Sequence, residues 1–422
     1  MDITLPYGRG HLTAEIGPAH PVRLLQNQEH FAERPPEEII REAMTHPFGE
    51  RLFTLASGKK SAVIIASDHT RPVPSRWILP QLLQELRQGN PQIAVTILIA
   101  CGCHREMTPH ELETKFGAEV LKSVSIVQHD CRREENFVEI GTLPSGGTLK
   151  INQVAAKADL LLAEGFIEPH FFAGFSGGRK SVLPGISARE SIFWNHSAGM
   201  IANPCARAGV LKHNPIHADM EAAADMAGLA FVCNVILDKE KRLVEAVAGS
   251  PQQAHRAGCE ISRQMTQVKG KQTPIVITTN GGYPLDQNLY QCVKGMATAA
   301  EACTPGGVII LCAACEDGHG GAHFYQALKE AASIPELLDK IQKTPPEQTT
   351  ADQWQYQILA RILKQHSVIM VTRPELEEMV CEMHMEYAPD LESAIEMADR
   401  KVGTTGEITV IPDGVSTIFC AE

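Results

Sequence analysis

Short apolar runs alternate with amphipathic segments along most of the chain. Ser61–Ser67 predicts a buried strand, and Ser75–Arg87, with apolar residues at helical spacing, predicts a helix after it. The same alternation then predicts three further strands and one helix, at Ile93–Ala100, Pro109–Phe116, Val124–Gln128 and Leu160–Ala163. This order of elements indicates a parallel sheet with helices on its faces, in which ligands gather where the strands end.

The next part of the chain has a different pattern. Residues 187–201 predict one helix that begins with a capping box formed by Ser187 and Glu190. Residues 217–227 predict a second helix, and Ala230–Ala248 predicts a strand hairpin.

The polar segment Gln264–Thr273 has the composition of a linker, and the alternation restarts after it. It predicts four strands and a helix, the final strand being the last of the chain: Pro274–Thr279, Asn288–Ala302, Gly307–Ala313, Val368–Thr372 and Glu407–Ile411. Because 422 residues exceed one ordinary core, we expect an α/β protein of two domains, residues 1–268 and 272–422. Each domain would be a mostly parallel sheet flanked by helices, and the last helix and strand can return to the first domain.

Composition narrows the class of protein. The net charge of −12 argues against nucleic acid as a partner, because phosphate-backbone binding needs a basic surface. We expect neither a signal peptide nor a membrane span, and therefore a cytoplasmic protein whose twelve cysteines stay reduced. Cys312 and Cys315 match a redox or metal spacing, but their place at the end of an apolar strand favours core residues.

Polar side chains follow three of the predicted strands directly. Asp68 and Arg71 follow the first, His104 follows the second, and His170 lies in a dense polar block after Leu160–Ala163. Carboxyl ends of parallel strands meet at one edge of a sheet, so these loops are expected to form a single site. A lone histidine is usually an ordinary surface or core residue. His104 and His170 each follow a buried strand, and this position favours a functional role for both.

The segment Gly174–Ser181 is rich in glycine, but it fails the phosphate-loop pattern because Arg179 separates Gly178 from Lys180. Amides at Gly177 and Gly178 can still cradle a phosphate beside Arg179, and a simple turn is the alternative. Lys180 is a candidate nucleophile if it is desolvated there.

In the second half, Gln291 and Lys294 are three positions apart and share a helical face. They can hold a carboxylate from the opposite side of a cleft, and a solvated helix face is the alternative.

Taken together, these blocks resemble the lactate racemase family, whose enzymes use a nickel-pincer nucleotide. The resemblance covers most of the chain in order and rests on five stretches: Ser67–Ser75 (SDHTRPVPS), Gly102–Thr108 (GCHREMT), Glu168–Ile186 (EPHFFAGFSGGRKSVLPGI), Asn195-His196 and Gly282–Gly295 (GYPLDQNLYQCVKG).

The resemblance implies how the cofactor, a nickel complex of pyridinium-3-thioamide-5-thiocarboxylic acid mononucleotide, would be held. Lys180 would bind it covalently, and His196 would ligate the nickel beside one carbon and two sulfur donors. Asp68 would line the cofactor or orient its neighbours, and Gly177 and Gly178 would contact it. Sulfur, carbon and one imidazole suit a square-planar nickel ion.

The resemblance also implies an active site in the cleft between the domains. His104 and His170 would be the paired acid/base residues on opposite sides of the substrate. Arg71 would pair with the substrate carboxylate, since a guanidinium matches it with two parallel hydrogen bonds. Four further residues would complete the substrate pocket: Tyr290, Gln291, Lys294 and Trp354.

The activity implied is an isomerase that inverts C2 of a small, lactate-like 2-hydroxy acid. It would do so by proton-coupled hydride transfer to the cofactor through a 2-keto acid, with the cofactor-synthesis enzymes as partners. The same chemistry on malate, an aryl acid or a sugar acid stays open. Alternatives of another class are a zinc hydrolase, against which no tight ligand motif such as H-E-x-x-H occurs, and a non-catalytic hydroxy-acid binding protein.

Overall fold

The computed structural model describes residues 1–27, 30, 34–403 and 406–422. Its strands are β1 (Asp2–Tyr7), β2 (Gly10–Glu15), β3 (Val22–Leu24), β4 (Ser61–Ser67), β5 (Ala94–Ala100), β6 (Ser125–Gln128), β7 (Phe137–Thr142), β8 (Thr148–Asn152), β9 (Leu160–Phe166), β10 (Pro169–His170), β11 (Gly174–Phe175), β12 (Leu229–Leu237), β13 (Leu243–Gly249), β14 (Gln267–Gly270), β15 (Thr273–Thr279), β16 (Cys303–Cys312), β17 (Ser367–Val371), β18 (Glu386–Ala388), β19 (Ile408–Ile411) and β20 (Ile418–Ala421).

The α-helices are α1 (Pro36–Thr45), α2 (Leu52–Ala56), α3 (Ser75–Gly89), α4 (Pro109–Phe116), α5 (Ala118–Ser123), α6 (Gln153–Ala156), α7 (Arg189–Asn195), α8 (Ala198–Ala202), α9 (Pro215–Met226), α10 (Pro251–Thr266), α11 (Leu289–Ala302), α12 (Ala322–Lys329), α13 (Ile334–Lys343), α14 (Gln353–Gln365), α15 (Glu377–Glu382) and α16 (Leu391–Val402). None of the helices in these described ranges is long and apolar enough to cross a membrane.

The first six-stranded sheet has the order β13-β12-β9-β4-β5-β6 and is parallel except for the β12–β13 hairpin. Ser67 is level with Ala100, and Ile65 is level with Ala163, so the loops after β4, β5 and β9 leave from one edge. Branched apolar residues fill both faces of these strands, as expected where helices cover a sheet on both sides. The predicted α/β class with mostly parallel sheets is therefore confirmed.

The second sheet has the order β18-β17-β16-β15-β19-β3 and is parallel throughout. Its edge strand β3 comes from the start of the chain and pairs with β19. The β1–β2 hairpin also packs on this sheet, with Leu5 and Ile16 in one cluster with Ile275 and Ile310. If the chain is divided near residue 270, the first 25 residues are an exception, because they precede the division but pack with the second sheet.

The predicted linker Gln264–Thr273 was wrong, because helix α10 continues to Thr266 and strand β14 follows at once. Strand β14 pairs in parallel with β20, which also means that Glu407–Ile411 does not contain the last strand. Val268 is buried while Lys269 is exposed, so the polar side chains of β14 lie on the outward face of the strand.

The single helix predicted over 187–201 is two short helices, α7 and α8, separated at His196 and Ser197. The capping box is absent as well: Ala188 is the N-cap, and the Ser187 hydroxyl donates to the Val182 carbonyl at 2.8 Å. The break between the helices leaves His196 at the C-terminal end of α7. An uninterrupted helix would have placed it at an interior position.

Candidate functional site

The loops after β4 and β5 bring Asp68 and His104 into direct contact. His104 Nδ1 donates to Asp68 Oδ2 at 2.7 Å, and the Thr70 hydroxyl donates to the other carboxylate oxygen at 2.6 Å. Asp68 is buried, whereas 45% of the His104 side chain is exposed. A ring that donates from Nδ1 carries its lone pair on Nε2, so Asp68 fixes the tautomer of His104.

The pKa of Asp68 reports the strength of this contact. Burial alone would raise it, but the hydrogen bond and charge of His104, helped by Thr70 and Arg71, outweigh burial and lower it to about 2. The carboxylate therefore stays ionised at any ordinary pH. It can stabilise positive charge on the His104 ring when that ring takes up a proton.

Glu164, in strand β9, fixes the loop that carries Asp68 and Arg71. One of its oxygens accepts from the Ser67 amide at 2.7 Å, and the other accepts from the Ser75 hydroxyl at 3.0 Å. The two residues stand at the two ends of the loop, and Glu164 is 1% exposed. Sequence reasoning missed it, although a lone carboxylate inside the apolar run LLLAEGF was a visible signal.

His170 lies in the loop after β9, against Phe171 and Phe172, whose rings are 5.2 and 4.5 Å from its own. The Ala173 amide donates to its Nδ1 at 3.2 Å, which places the proton of the neutral ring on Nε2. Burial lowers the pKa of His170 well below its ordinary value, and the charges of Lys180 and Lys294 lower it further. The ring is neutral while no anion is present.

Three basic side chains act electrostatically on His170: Lys180, Lys294 and Arg71. Burial lowers the pKa of Lys180 well below that of an ordinary lysine, and Arg179, Arg71 and Lys294 add to the effect. Burial and Arg71 also lower the pKa of Lys294, to about 8, against a smaller opposite effect of Glu168. Like charges held together without solvent favour an anion between them.

His196 is buried between the rings of Phe172 and Trp354, at centroid distances of 5.0 and 5.2 Å. Burial and the charge of Lys180 lower its pKa to about 3, so the ring is neutral. Its Nδ1 is buried without a hydrogen-bond partner among the residues described. Such a nitrogen is costly unless something else pairs with it.

The second half of the chain contributes the other wall. Trp354 Nε1 donates to the Tyr290 hydroxyl at 3.2 Å, and the Trp354 ring contacts that of His196. Gln291 and Lys294 lie in the first turns of α11, which Asn288 caps by accepting from the Gln291 amide. Lys294 acts electrostatically on His170 across this boundary, whereas the Gln291 side chain makes no hydrogen bond within the described part of the chain.

The turn at Gly177 and Gly178 is tightly packed by protein groups. A Cβ at Gly177 would overlap Asn234 Oδ1 and lie 2.9 Å from the Phe166 carbonyl, and one at Gly178 would lie 2.9 Å from the His255 ring. The Gly178 amide already donates to Asn234 at 2.7 Å. These contacts alone account for both glycines, and the cofactor role proposed for them stays a prediction.

Comparisons with known proteins match both halves of the chain. The family model of the lactate racemase N-terminal domain matches residues 7–209, and that of the C-terminal domain matches residues 268–419. The chain belongs to the lactate racemase family. The family and the class of enzyme predicted from the sequence, an isomerase, are therefore confirmed.

Members of the lactate racemase family match at full length. The lactate racemase of Thermoanaerobacterium thermosaccharolyticum is 50% identical over 420 residues, and that of Lactiplantibacillus plantarum is 46% identical over 419, each covering 99% of both chains. The structure of the lactate racemase apoprotein from the first organism has a TM-score of 0.96 over 100% of both chains. A Thermotoga maritima protein, 18% identical with a TM-score of 0.65 over 94% of this chain, shares the fold alone.

The residues of this family member fit a nickel-bearing nucleotide. Among the described residues, no group of three or more His, Cys, Asp or Glu side chains is arranged to hold a metal ion. A metal at His196 would thus take its other donors from a bound group, in keeping with a pincer. Lys180, whose amine makes no hydrogen bond or ion pair in the described chain, is suited to a covalent bond with that group.

One interpretation of the sequence changes in the structure, and another holds. Arg179 does not face a phosphate: it is 3% exposed and donates to the carbonyls of Ala173, Ser176 and Gly177 and to the His217 ring. Cys312 and Cys315 are both buried, as expected of core residues.

Replacing Gly177 by alanine is expected to lower the free energy of unfolding by about 2 to 4 kcal/mol, because φ is +75° and Asn234 leaves no room for a methyl group. Urea denaturation of the cofactor-free protein measures this loss. Gly199→Ala is the matched control: it lies exposed in α8 with no atom within 4 Å of the new Cβ, so its stability should hold or rise. Equal stabilities of the two variants would contradict the packing argument.

Proposed function

We propose that this protein racemises a small 2-hydroxy acid, with lactate as the first candidate substrate. Two findings support the proposal. The chain is 46–50% identical over its full length to two proteins named lactate racemase. Three basic side chains, Arg71, Lys180 and Lys294, also act together on one partly buried histidine, His170, which is the single observation that carries the proposal at the level of the site.

Arg71, Lys294 and Gln291 would hold the substrate carboxylate in the cleft between the two halves of the chain. Arg71 offers two parallel N–H donors on the loop after β4, and Lys294 offers a charge from α11. A carboxylate fixed in this way leaves C2 and its hydroxyl as the part of the substrate that is free to change geometry. Tyr290 and Trp354 would limit the size of the group that C2 can carry.

His104 and His170 would serve as the two acid/base groups. His104 is ready to accept a proton at Nε2, because Asp68 accepts from its Nδ1. Burial, and then the charges of Lys180, Lys294 and Arg71, lower the pKa of His170, so a bound carboxylate would offset the effect of those charges and favour the protonated ring. One ring would then take the hydroxyl proton of one enantiomer while the other returns a proton to form the opposite one.

A nickel-pincer nucleotide, bound to Lys180 and ligated by His196, would supply the acceptor that takes the C2 hydrogen as hydride and returns it, through a 2-keto acid. The contribution of the protein is to lower the pKa of the Lys180 amine, which favours its nucleophilic form, and to hold a neutral ring at His196. Burial and neighbouring cations lower both pKa values, which supports this assignment. Asp68 would act on the reaction through His104.

The partners follow from the same proposal. They are the 2-hydroxy acid and the enzymes that synthesise the cofactor, with neither nucleic acid nor a membrane involved. We place the protein in the cytoplasm, because all twelve of its cysteines lie in the described residues and carry free thiols.

A screen of enantiopure 2-hydroxy acids tests the function. Protein co-produced with the cofactor-synthesis enzymes is incubated with lactate, malate, an aryl acid or a sugar acid, and chiral chromatography measures the product. Loss of enantiomeric purity with lactate is expected. If only another of these acids is inverted, that acid replaces lactate as the assigned substrate. Stoichiometric zinc with hydrolase activity, or binding without inversion, would instead support the zinc enzyme or the binding protein.

The rate with lactate should depend on pH through Lys294. Because its protonated form is lost as pH rises through about 8, kcat/KM should fall nearly tenfold per pH unit above that value. Steady-state kinetics between pH 6 and 10 measure the fall, which should appear mainly in KM. Lys294→Arg keeps its charge over this range and should move the fall to higher pH; an unchanged profile would remove Lys294 from substrate binding.

A further inference from the structure

Two cysteine sulfurs meet beside the proposed acid/base residue His104. The Sγ atoms of Cys103 and Cys131 are 3.4 Å apart, although the residues are 28 positions apart in the chain. Cys103 is exposed and directly precedes His104, while Cys131 is 4% exposed in the loop after β6. One sulfur is therefore open to a reagent from solution, and its neighbour is protected from it.

The backbone holds both cysteines in place. The Gly102 amide donates to the Gly185 carbonyl at 3.1 Å, the His104 amide donates to the Cys101 carbonyl at 2.8 Å, and the Arg189 amide donates to the Cys131 carbonyl at 3.1 Å. The short distance between the sulfurs thus belongs to two anchored turns. Cys103 also acts electrostatically on Tyr290, which places the pair at the border of the substrate pocket.

The surroundings of the pair favour the thiolate on Cys131 and the thiol on Cys103. The hydrogen bond between the two sulfurs lowers the pKa of Cys131, against the effect of burial, and together with burial it raises the pKa of Cys103; the charges of Arg132 and Arg189 favour the thiolate at both residues. Disulfide exchange requires a thiolate that can reach a sulfur held in mixed disulfide.

We propose that Cys103 and Cys131 form a reversible disulfide that switches the enzyme off by displacing His104. Disulfide formation itself requires only the geometry of the pair, whereas the loss of racemisation rests on the function proposed above. The reagent is a low-molecular-weight disulfide, RSSR.

The exchange balances in two steps. Cys103, the sulfur open to solution, loses its proton and attacks RSSR, forming a mixed disulfide and releasing one thiolate RS⁻. The Cys131 thiolate then attacks the Cys103 sulfur, breaking the mixed disulfide and releasing a second RS⁻. The two thiol protons go to these products, so the protein loses two electrons and two protons, and RSSR is reduced to two RSH.

The effect on His104 follows from distance. A disulfide bond is about 2.05 Å long, so the two sulfurs must approach by more than an ångström. Cys103 and His104 are consecutive residues of one tight turn, so this movement strains the contact between His104 and Asp68. Misplacement of a catalytic group by about 1 Å can reduce the rate about 10²-fold.

The first test uses the cofactor-free protein treated with oxidised glutathione, with peptide mapping under non-reducing conditions. A Cys103–Cys131 cross-linked peptide is expected, and it should be absent from Cys103→Ser and Cys131→Ser. Cys381→Ala is the matched control, since it removes another exposed thiol and should leave the link unchanged. Absence of the link in the wild-type protein would overturn the proposal, whatever the activity.

The second test measures racemisation by the cofactor-loaded protein before and after the same treatment. The wild-type protein should lose at least about tenfold in kcat and recover with dithiothreitol, while Cys103→Ser should keep its rate. A cross-linked protein as active as the reduced one would also overturn the switch. If the reduced protein racemises none of the acids tested, the proposed function fails, and the peptide map still decides whether the pair forms.

Discussion

His170→Asn is expected to lower kcat for racemisation by about 10³-fold or more, in both directions. The variant keeps a planar polar side chain, but it cannot take up or return a proton, and general acid/base groups commonly contribute about 10²- to 10⁴-fold. Chiral chromatography of the cofactor-loaded variant measures the rate. His11→Asn, an exposed histidine on β2, is the matched control and should keep the wild-type rate.

If His104 and His170 each accept the hydroxyl proton of a different enantiomer, replacing each of them should block the reaction of a different enantiomer. His170→Asn should still convert a trace of one enantiomer to 2-keto acid, at most one equivalent per enzyme, and His104→Asn should do so with the other. Rapid quenching followed by keto-acid assay detects this product. Trace formation from the same enantiomer in both variants would contradict a two-base mechanism.

Lys180→Ala should abolish both the covalent attachment of a nucleotide and the activity. Burial and three neighbouring cations lower the pKa of the wild-type amine, which favours its unprotonated, nucleophilic form. Intact-protein mass spectrometry after co-production with the cofactor-synthesis enzymes should show the added mass in the wild type and in Lys212→Ala, which removes an exposed lysine. A Lys180→Ala protein that still carries the mass would place the attachment elsewhere.

Sequence patterns predicted most elements because strongly periodic segments carry their own signal. Ser61–Ser67 is a strand with the predicted bounds, and the helix predicted over Ser75–Arg87 ends two residues later, at Gly89. The failures occurred where tertiary contacts decide the structure. The polar residues around Val268 gave no strand pattern, and strand β14 forms there because it pairs with β20. The apolar spacing of 187–201 also did not predict the break between helices α7 and α8 at His196.

The candidate site was predictable to the extent that parallel strands share an edge. The contact of His104 with Asp68 follows from the loops after β5 and β4, whereas Lys294, which acts electrostatically on His170, comes from helix α11 and not from these loops. The packing beneath these loops was not predictable. Glu164 holds the loop after β4 by accepting hydrogen bonds at both of its ends, and Arg179 points inward and donates to backbone carbonyls. The spacing of residues along the sequence predicts neither orientation.

The pairing of β3 with β19 has a consequence for synthesis of the protein. The two strands are hydrogen-bonded neighbours, but Val22 and Ile408 stand at opposite ends of the chain. A ribosome that adds roughly 5 to 20 residues per second needs about 20 to 80 seconds to travel between them. During that interval the amino-terminal strand has no partner, so fusion tags and chaperones that occupy it will govern the yield of folded product.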